Sequence, residues 1–114
     1  MAAKNRVFQV NELIKRELGS IILKKVEFPK NVLFTITRVE TSSNLIQSKI
    51  HISVIPEVQT PKVIQILNQK IFIIQQDVNR RLRMRPVPKI KFAEDKEAKK
   101  ANKVEELLER IKKI

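Results

Sequence analysis

Between residues 80 and 91 the chain reads RRLRMRPVPKIK, with Arg80, Arg81, Arg83, Arg85, Lys89 and Lys91 and no acid among them. Guanidinium groups at this density suit one chemistry above others. Each is a planar fork of N–H donors that meets phosphate oxygens two at a time and keeps its charge at any physiological pH. A bland use also exists, since positive charge is favourable at a helix C-terminus. One of the four arginines is expected to serve that way, paired with Asp77, Glu94 or Asp95. Surface ion pairs stabilise too little for all four to be explained so.

Other chemistries find little support. The chain has no Cys, which excludes disulfides, thiol catalysis and thiolate metal sites and fits a reducing cytosol. His51 is the only histidine, expected on the exposed face of a strand, and one His without Cys makes a poor metal site. There is no Gly-rich phosphate loop, GxSxG elbow or HExxH pair. No enzyme, cofactor or small-molecule substrate is expected.

The elements that must carry the cluster follow from length and pattern. The 114 residues, 42% hydrophobic, suffice for one domain with one modest core. No apolar run approaches a membrane span. The opening MAAKNRVFQV lacks a signal core, so a cytoplasmic protein is expected. Formal net charge is +12. Residues 58–93 hold eight basic side chains against Asp77 alone, so the excess is concentrated in the later part of the fold and favours a polyanionic partner.

NRVFQVNELIKRELGSIILKKV reads as an amphipathic helix on Val7, Val10, Ile14, Leu18, Ile21 and Ile22. Asn5 is its expected N-cap, Gly19 marks a kink or close packing, and Arg6, Lys15 and Arg16 lie on the opposite face. Two strands follow. In the first, Val32, Phe34 and Ile36 alternate inward, and Val39 on the other parity signals a bulge. The second places Ile46, Ile50, Ile52 and Val54 inward and Gln47, Lys49, His51 and Ser53 outward. A long helix runs from Thr60–Pro61 to Pro86 on the stripe Val63, Leu67, Ile71, Ile74, Val78 and Leu82, with the apolar run at 71–74 implying contact on two sides or a bend. On that helix, at about 100° per residue, positions 81 and 85 share a face and 83 diverges, forming a collar. Lys89 and Lys91 point outward from a third strand whose Ile90 and Phe92 point inward. Residues 94–114 read as a closing helix on Val104, Leu107, Leu108 and Ile111.

The order helix, strand, strand, long helix, strand predicts an α+β layer. Helices cover one face of a small mixed three-stranded sheet, with the last two strands parallel across a helical crossover. Residues 1–93 form the domain and 94–114 an extension. An RNA-recognition motif is excluded because it stacks bases on exposed aromatics, and the chain has no Trp or Tyr. A type II KH-like domain fits the order, although its nucleotide-clamping GxxG loop is missing.

Four stretches in order, RVFQVNELIKRELGSII, TITRVETSSNLIQSKIHISV, LRMRPVPKIKFAED and KVEELLERI, resemble the ribosome-binding factor A family of small-subunit assembly factors. That resemblance implies a KH-like domain that binds the free 30S subunit and assists late maturation of 16S rRNA, without catalysis, as a monomer. The family's Ala-x-Gly kink in the long helix aligns with Lys70, Ile71 and Phe72, so no glycine stands there, and Lys70 adds charge where the family is expected to approach RNA. Asn44 stands where Asp is usual. The expected RNA-binding set is Arg6, Lys15, Arg16, Lys70, Arg80, Arg81, Arg83, Arg85, Lys89 and Lys91, gripping phosphates and shape more than reading bases. Two other classes remain open: a permanent constituent of a ribonucleoprotein particle, and a protein adaptor acting through the closing helix.

Overall fold

The computed structural model describes the backbone of residues 2–97 and the side chains of residues 5–97. Of the expected closing helix at 94–114, residues 98–114 lie outside the described residues, and Glu94 belongs to the last strand instead. In order come α1 (Ala2–Lys25), β1 (Leu33–Thr41), β2 (Gln47–Ile55), a 3₁₀ turn at Glu57–Gln59, α2 (Thr60–Gln69), α3 (Ile71–Arg81) and β3 (Lys89–Glu94). The sheet order is β1-β2-β3, with β1 antiparallel and β3 parallel to β2. This is the α+β arrangement, with a small mixed three-stranded sheet, that the pattern predicts.

One core joins the helices to one sheet face. Ile14, Leu18, Ile21 and Ile22 of α1 meet Ile36, Val39, Ile50, Ile52 and Val54 of the hairpin, with Val63, Leu67, Ile74 and Val78 from α2 and α3 and Ile90 and Phe92 from β3. Ile36 and Val39 are both buried although they differ in parity. The register shifts between Ile36 and Arg38, so a bulge at Thr37 returns Val39 to the core.

The inward row of β2 departs from expectation at its start. Ile46 is exposed and Ser48 is buried in the same row. Leu45 explains the change. It takes positive φ (61°) and turns its side chain against the core, which leaves Ile46 outside. Ser42 holds this turn: its Oγ accepts from the Ile46 and Gln47 amides at 3.2 and 3.1 Å. Ser48 is satisfied by Thr41 Oγ1 at 2.7 Å, and that hydroxyl also meets Asn11 Oδ1 of α1. A short polar seam thus ties the first helix to the hairpin.

Two expectations for α1 fail. The helix starts before Asn5, which is inside it rather than at its N-cap. It runs through Gly19 without interruption, and a Cβ placed there would meet nothing within 4 Å, so neither a kink nor close packing accounts for the glycine.

His51 is also misplaced by the pattern. It lies on the outward row of β2 yet is only 6% exposed. Its Nε2 donates to Glu40 Oε1 at 2.9 Å, and Arg38 binds the same oxygen at 3.2 Å. Asp95, equally buried, accepts from the Thr37 hydroxyl. His51 Nδ1 has no hydrogen-bond partner among the described residues. These side chains fold across one end of the outer sheet face, which is a tertiary event invisible to alternation.

Candidate nucleic-acid interface

The long helix is two helices. α2 ends and α3 begins at Lys70, whose φ of −100° and ψ of 6° any L-residue can adopt. The Lys70 amide is shared between the Ile66 and Leu67 carbonyls at 3.2 Å each, tightening the last turn of α2. The Ile74 amide then bonds the Lys70 carbonyl at 3.0 Å. The interruption therefore needs no glycine. It also explains the apolar run: Ile71 and Ile74 face the core side, while Phe72 is 71% exposed beside exposed Lys70.

The helix does not reach Pro86. It stops at Arg81, and Leu82 leaves with extended angles (φ −89°, ψ 126°) while its side chain stays buried. Pro86 and Pro88 disfavour helix at Arg85 and Val87, and in a continued helix the Pro86 ring would clash with the Leu82 carbonyl four residues back. The collar is thus part helix and part extended chain. The helical face shared by 81 and 85 does not exist, and the gain is a concavity. Asn79, Arg80, Leu82, Arg83, Met84 and Arg85 line an open hollow of about 540 Å³, and Asn79, Arg85 and Val87 line a second of about 250 Å³.

The four arginines differ in what holds them. Arg80 pairs with Asp77 at 3.5 Å, the expected helix-end contact, but its side chain is 74% exposed. Arg81 is drawn to α1, where Nη1 donates to Glu17 Oε2 at 3.2 Å and to Ser20 Oγ at 3.3 Å. Arg83 and Arg85 are exposed and have no ion pair among the described residues; Arg85 donates only to the neighbouring Met84 carbonyl, at 2.8 Å.

Gln75 couples this corner to the sheet. Its Nε2 donates to the Pro88 carbonyl at 3.1 Å and its Oε1 accepts the Ile90 amide at 2.8 Å. β3 then presents exposed Lys89 and Lys91, as its alternation predicts. Lys91 lies directly opposite Lys49 of β2, and Gln47 opposite Lys89. Like charges facing each other across strands are destabilising, and none of these three lysines has an ion pair among the described residues. Lys49, which faces Glu40 of β1 on its other side, adds one exposed lysine to this corner. Its outward parity was legible, but its pairing with Lys91 required the register.

The remaining expected residues are not gathered at this corner. Lys70 stands at the other end of α3, about 15 Å along the helix. Arg6 lies on the same flank of α1 as Glu17 but about 16 Å up the axis. Arg16 is largely exposed and touches Glu17 at 3.7 Å. Lys15 is on the opposite flank of α1, beside Gly19 and β1. The geometry thus gives one compact basic corner, Arg80 to Lys91 with Lys49, and scattered single charges around it.

Among the described residues no helix is long and apolar enough to cross a membrane, and no cluster of His, Cys, Asp and Glu could hold a metal ion.

Comparison with known proteins bears on this arrangement. The fold is similar to the crystal structure of ribosome-binding factor A from Thermus thermophilus, with TM-score 0.68 and 22% identity over 77% of this chain and 93% of that one. It is also similar to a homology model of Thermus thermophilus ribosome-binding factor A fitted into a cryo-EM map of its complex with the 30S subunit. There the TM-score is 0.63 and the identity 23%, over 73% of this chain and 88% of that one. In sequence, the chain is 33% identical to the ribosome-binding factor A of Akkermansia muciniphila, over 95% of this chain and 86% of that protein. It is 31% identical to that of Thermodesulfovibrio yellowstonii, over 99% of this chain and 96% of that protein. The family profile described as Ribosome-binding factor A matches residues 6–108, and the chain belongs to that family.

Proposed function

We propose that this protein is a ribosome assembly factor that binds the free 30S subunit by gripping 16S rRNA and assists its late maturation, without chemistry of its own. The observation that carries this reading is the hollow at the end of α3, lined by Arg83 and Arg85 with no ion pair among the described residues. Guanidiniums around a concavity fit phosphates from two sides, whereas a solubility surface needs no such shape. Arg80 keeps an exposed fork beside them, and Lys89, Lys91 and Lys49 extend the grip along the outer sheet face. Contacts of this kind fix RNA position and shape rather than sequence. Membership of a family whose Thermus thermophilus relative has been fitted, as a homology model, into a map of a 30S complex supports the small subunit as the partner.

The protein acts as a cytoplasmic monomer. Co-sedimentation with cell extract at moderate salt tests the reading. An assembly factor migrates with free small subunits and is absent from translating ribosomes. A permanent constituent would appear in both, and absence from every ribosomal fraction would overturn the reading.

A further inference from the structure

Phe72 and Ile73 are the exposed large apolar side chains of α2 and α3, at 71% and 43%. A single exposed apolar side chain is ordinary on a protein surface. The company these two keep is not. At about 100° per residue, Phe72, Gln76, Asn79 and Arg80 fall on one face of α3, opposite buried Ile74 and Val78, with Ile73 at its border. All five are exposed.

This face runs into the arginine corner. Asn79 and Arg80 also line the hollow that Arg83 and Arg85 share. Phe72 stands about 12 Å along the axis from Arg80, with Gln76 halfway between them. Exposed Lys70 precedes the ring at the break between the helices. Asp77 is the one acid of residues 60–81, and its side chain is 12% exposed and paired with Arg80. The polar groups between the ring and the arginines are instead the amides of Gln76 and Asn79, each with a donor and an acceptor.

We propose that this face of α3 takes a single-stranded stretch of RNA, with one unpaired base stacked on Phe72 and the neighbouring phosphates led into the arginine hollow. The proposal rests on the RNA reading and narrows it to a strand that carries an accessible base. Every base has a π-face that stacks on an aromatic ring, and a base inside a duplex does not present it. Gln76 is placed to meet the edge of the stacked base, while Arg80 and Arg83 take phosphates. A protein partner fits this face less well. Two apolar side chains among amides and arginines do not make the apolar core of a stable interface, which covers about 800 Å² on each side. The family kink that aligns with residues 70–72 ends in glycine, so a ring at this place is a feature of this chain.

Fluorescence anisotropy with oligo-uridine of about twelve nucleotides, alone and paired with oligo-adenosine, tests it on the full-length protein. The parent should prefer the single strand. Phe72→Leu keeps an apolar side chain and removes the ring. It should weaken the single strand by about five-fold or more and leave duplex affinity unchanged. Phe72→Trp should restore single-strand binding. Neither variant loses a charge, so both should keep the parental salt slope, which the Arg83→Ala, Arg85→Ala variant flattens. Ultraviolet irradiation of the oligo-uridine complex should crosslink Phe72, located by mass spectrometry. Parental binding of oligo-uridine by Phe72→Leu, beside a loss in the arginine variant, would overturn the stacking proposal and leave the RNA reading standing. Failure of the parent to bind either RNA would overturn both. Preference for the duplex, or equal losses on both forms, would overturn the proposal alone. So would unchanged RNA binding by Phe72→Leu with loss of its co-sedimentation with small subunits, which would assign the face to a protein.

Discussion

Replacing Arg83 and Arg85 together by alanine separates phosphate gripping from every structural use of these side chains. Neither has an ion pair among the described residues, and both are exposed, so the fold should lose little: about 0.5 kcal/mol or less. RNA binding should change in two ways. At low salt each lost charge-assisted contact should cost about 10- to 100-fold in affinity. The salt dependence should also flatten. Each phosphate contact contributes about 0.9 to the slope of log affinity against log salt for a duplex and about 0.7 for a single strand. Between 50 and 200 mM salt the double variant should therefore fall less steeply than the parent, by about 12-fold for duplex contacts and about 7-fold for single-stranded ones. Filter binding or anisotropy with a small-subunit rRNA fragment over that range measures both effects. Arg81→Ala is the internal control. Because Arg81 is held by Glu17 and Ser20, its loss should lower stability by about 0.5–1 kcal/mol and leave the slope nearly unchanged. A double variant with the parental slope, or an Arg81 variant that flattens it as much, would mean that Arg83 and Arg85 do not meet phosphates.

Gln75→Leu removes the two bonds that fix the start of β3, so RNA affinity should fall by about ten-fold in the binding assay although Gln75 is on the sheet side of the corner. Ser42→Ala should cost about 0.5–1.5 kcal/mol in urea unfolding, because the Gln47 amide loses its side-chain acceptor and the Ile46 amide keeps only Asn44 Oδ1, in a turn that already holds Leu45 at positive φ. Thr37→Val should cost about 1–3 kcal/mol, since the buried Asp95 carboxylate loses a donor. Lys70→Gly should lower stability in urea unfolding by about 0.4–1 kcal/mol, through the added freedom of the unfolded chain, without changing the helix break, which requires no glycine.

Much of this fold was legible in the sequence wherever one periodicity controlled burial. The stripes of α1, α2 and α3, the outward lysines of β3, and the bulge implied by Val39 all followed from spacing alone. Reading failed where two short-range preferences competed or where burial came from another element. The stripe carries the helix toward Pro86 because it includes Leu82, yet in a helix that long the Pro86 ring would clash with the Leu82 carbonyl. Parity places Ile46 inward, but Leu45 reaches the core first by taking a left-handed conformation. His51 looks exposed because nothing in strand alternation reveals that Arg38, Glu40 and Asp95 close over it. For the interface, the charge density at residues 80–91 was visible, whereas its division between bound and unpaired arginines depended on where Glu17 and Asp77 stood. Lys15 could be counted as basic, but not assigned to the opposite flank from the arginines without the packing of α1.

The parallel placement of β3 beside β2 has a kinetic meaning. The β1–β2 hairpin closes over a short turn and can form as soon as those residues are available. β3 must return across α2 and α3 to pair Lys89 with Gln47, a long-range closure with a larger entropic cost. The arginine hollow is shaped by the segment that leads into β3, so it comes into being only when that last strand docks. A chain still in synthesis carries the charge of the arginine corner but not its grip. Affinity for phosphate in this geometry therefore reports that the domain has finished folding.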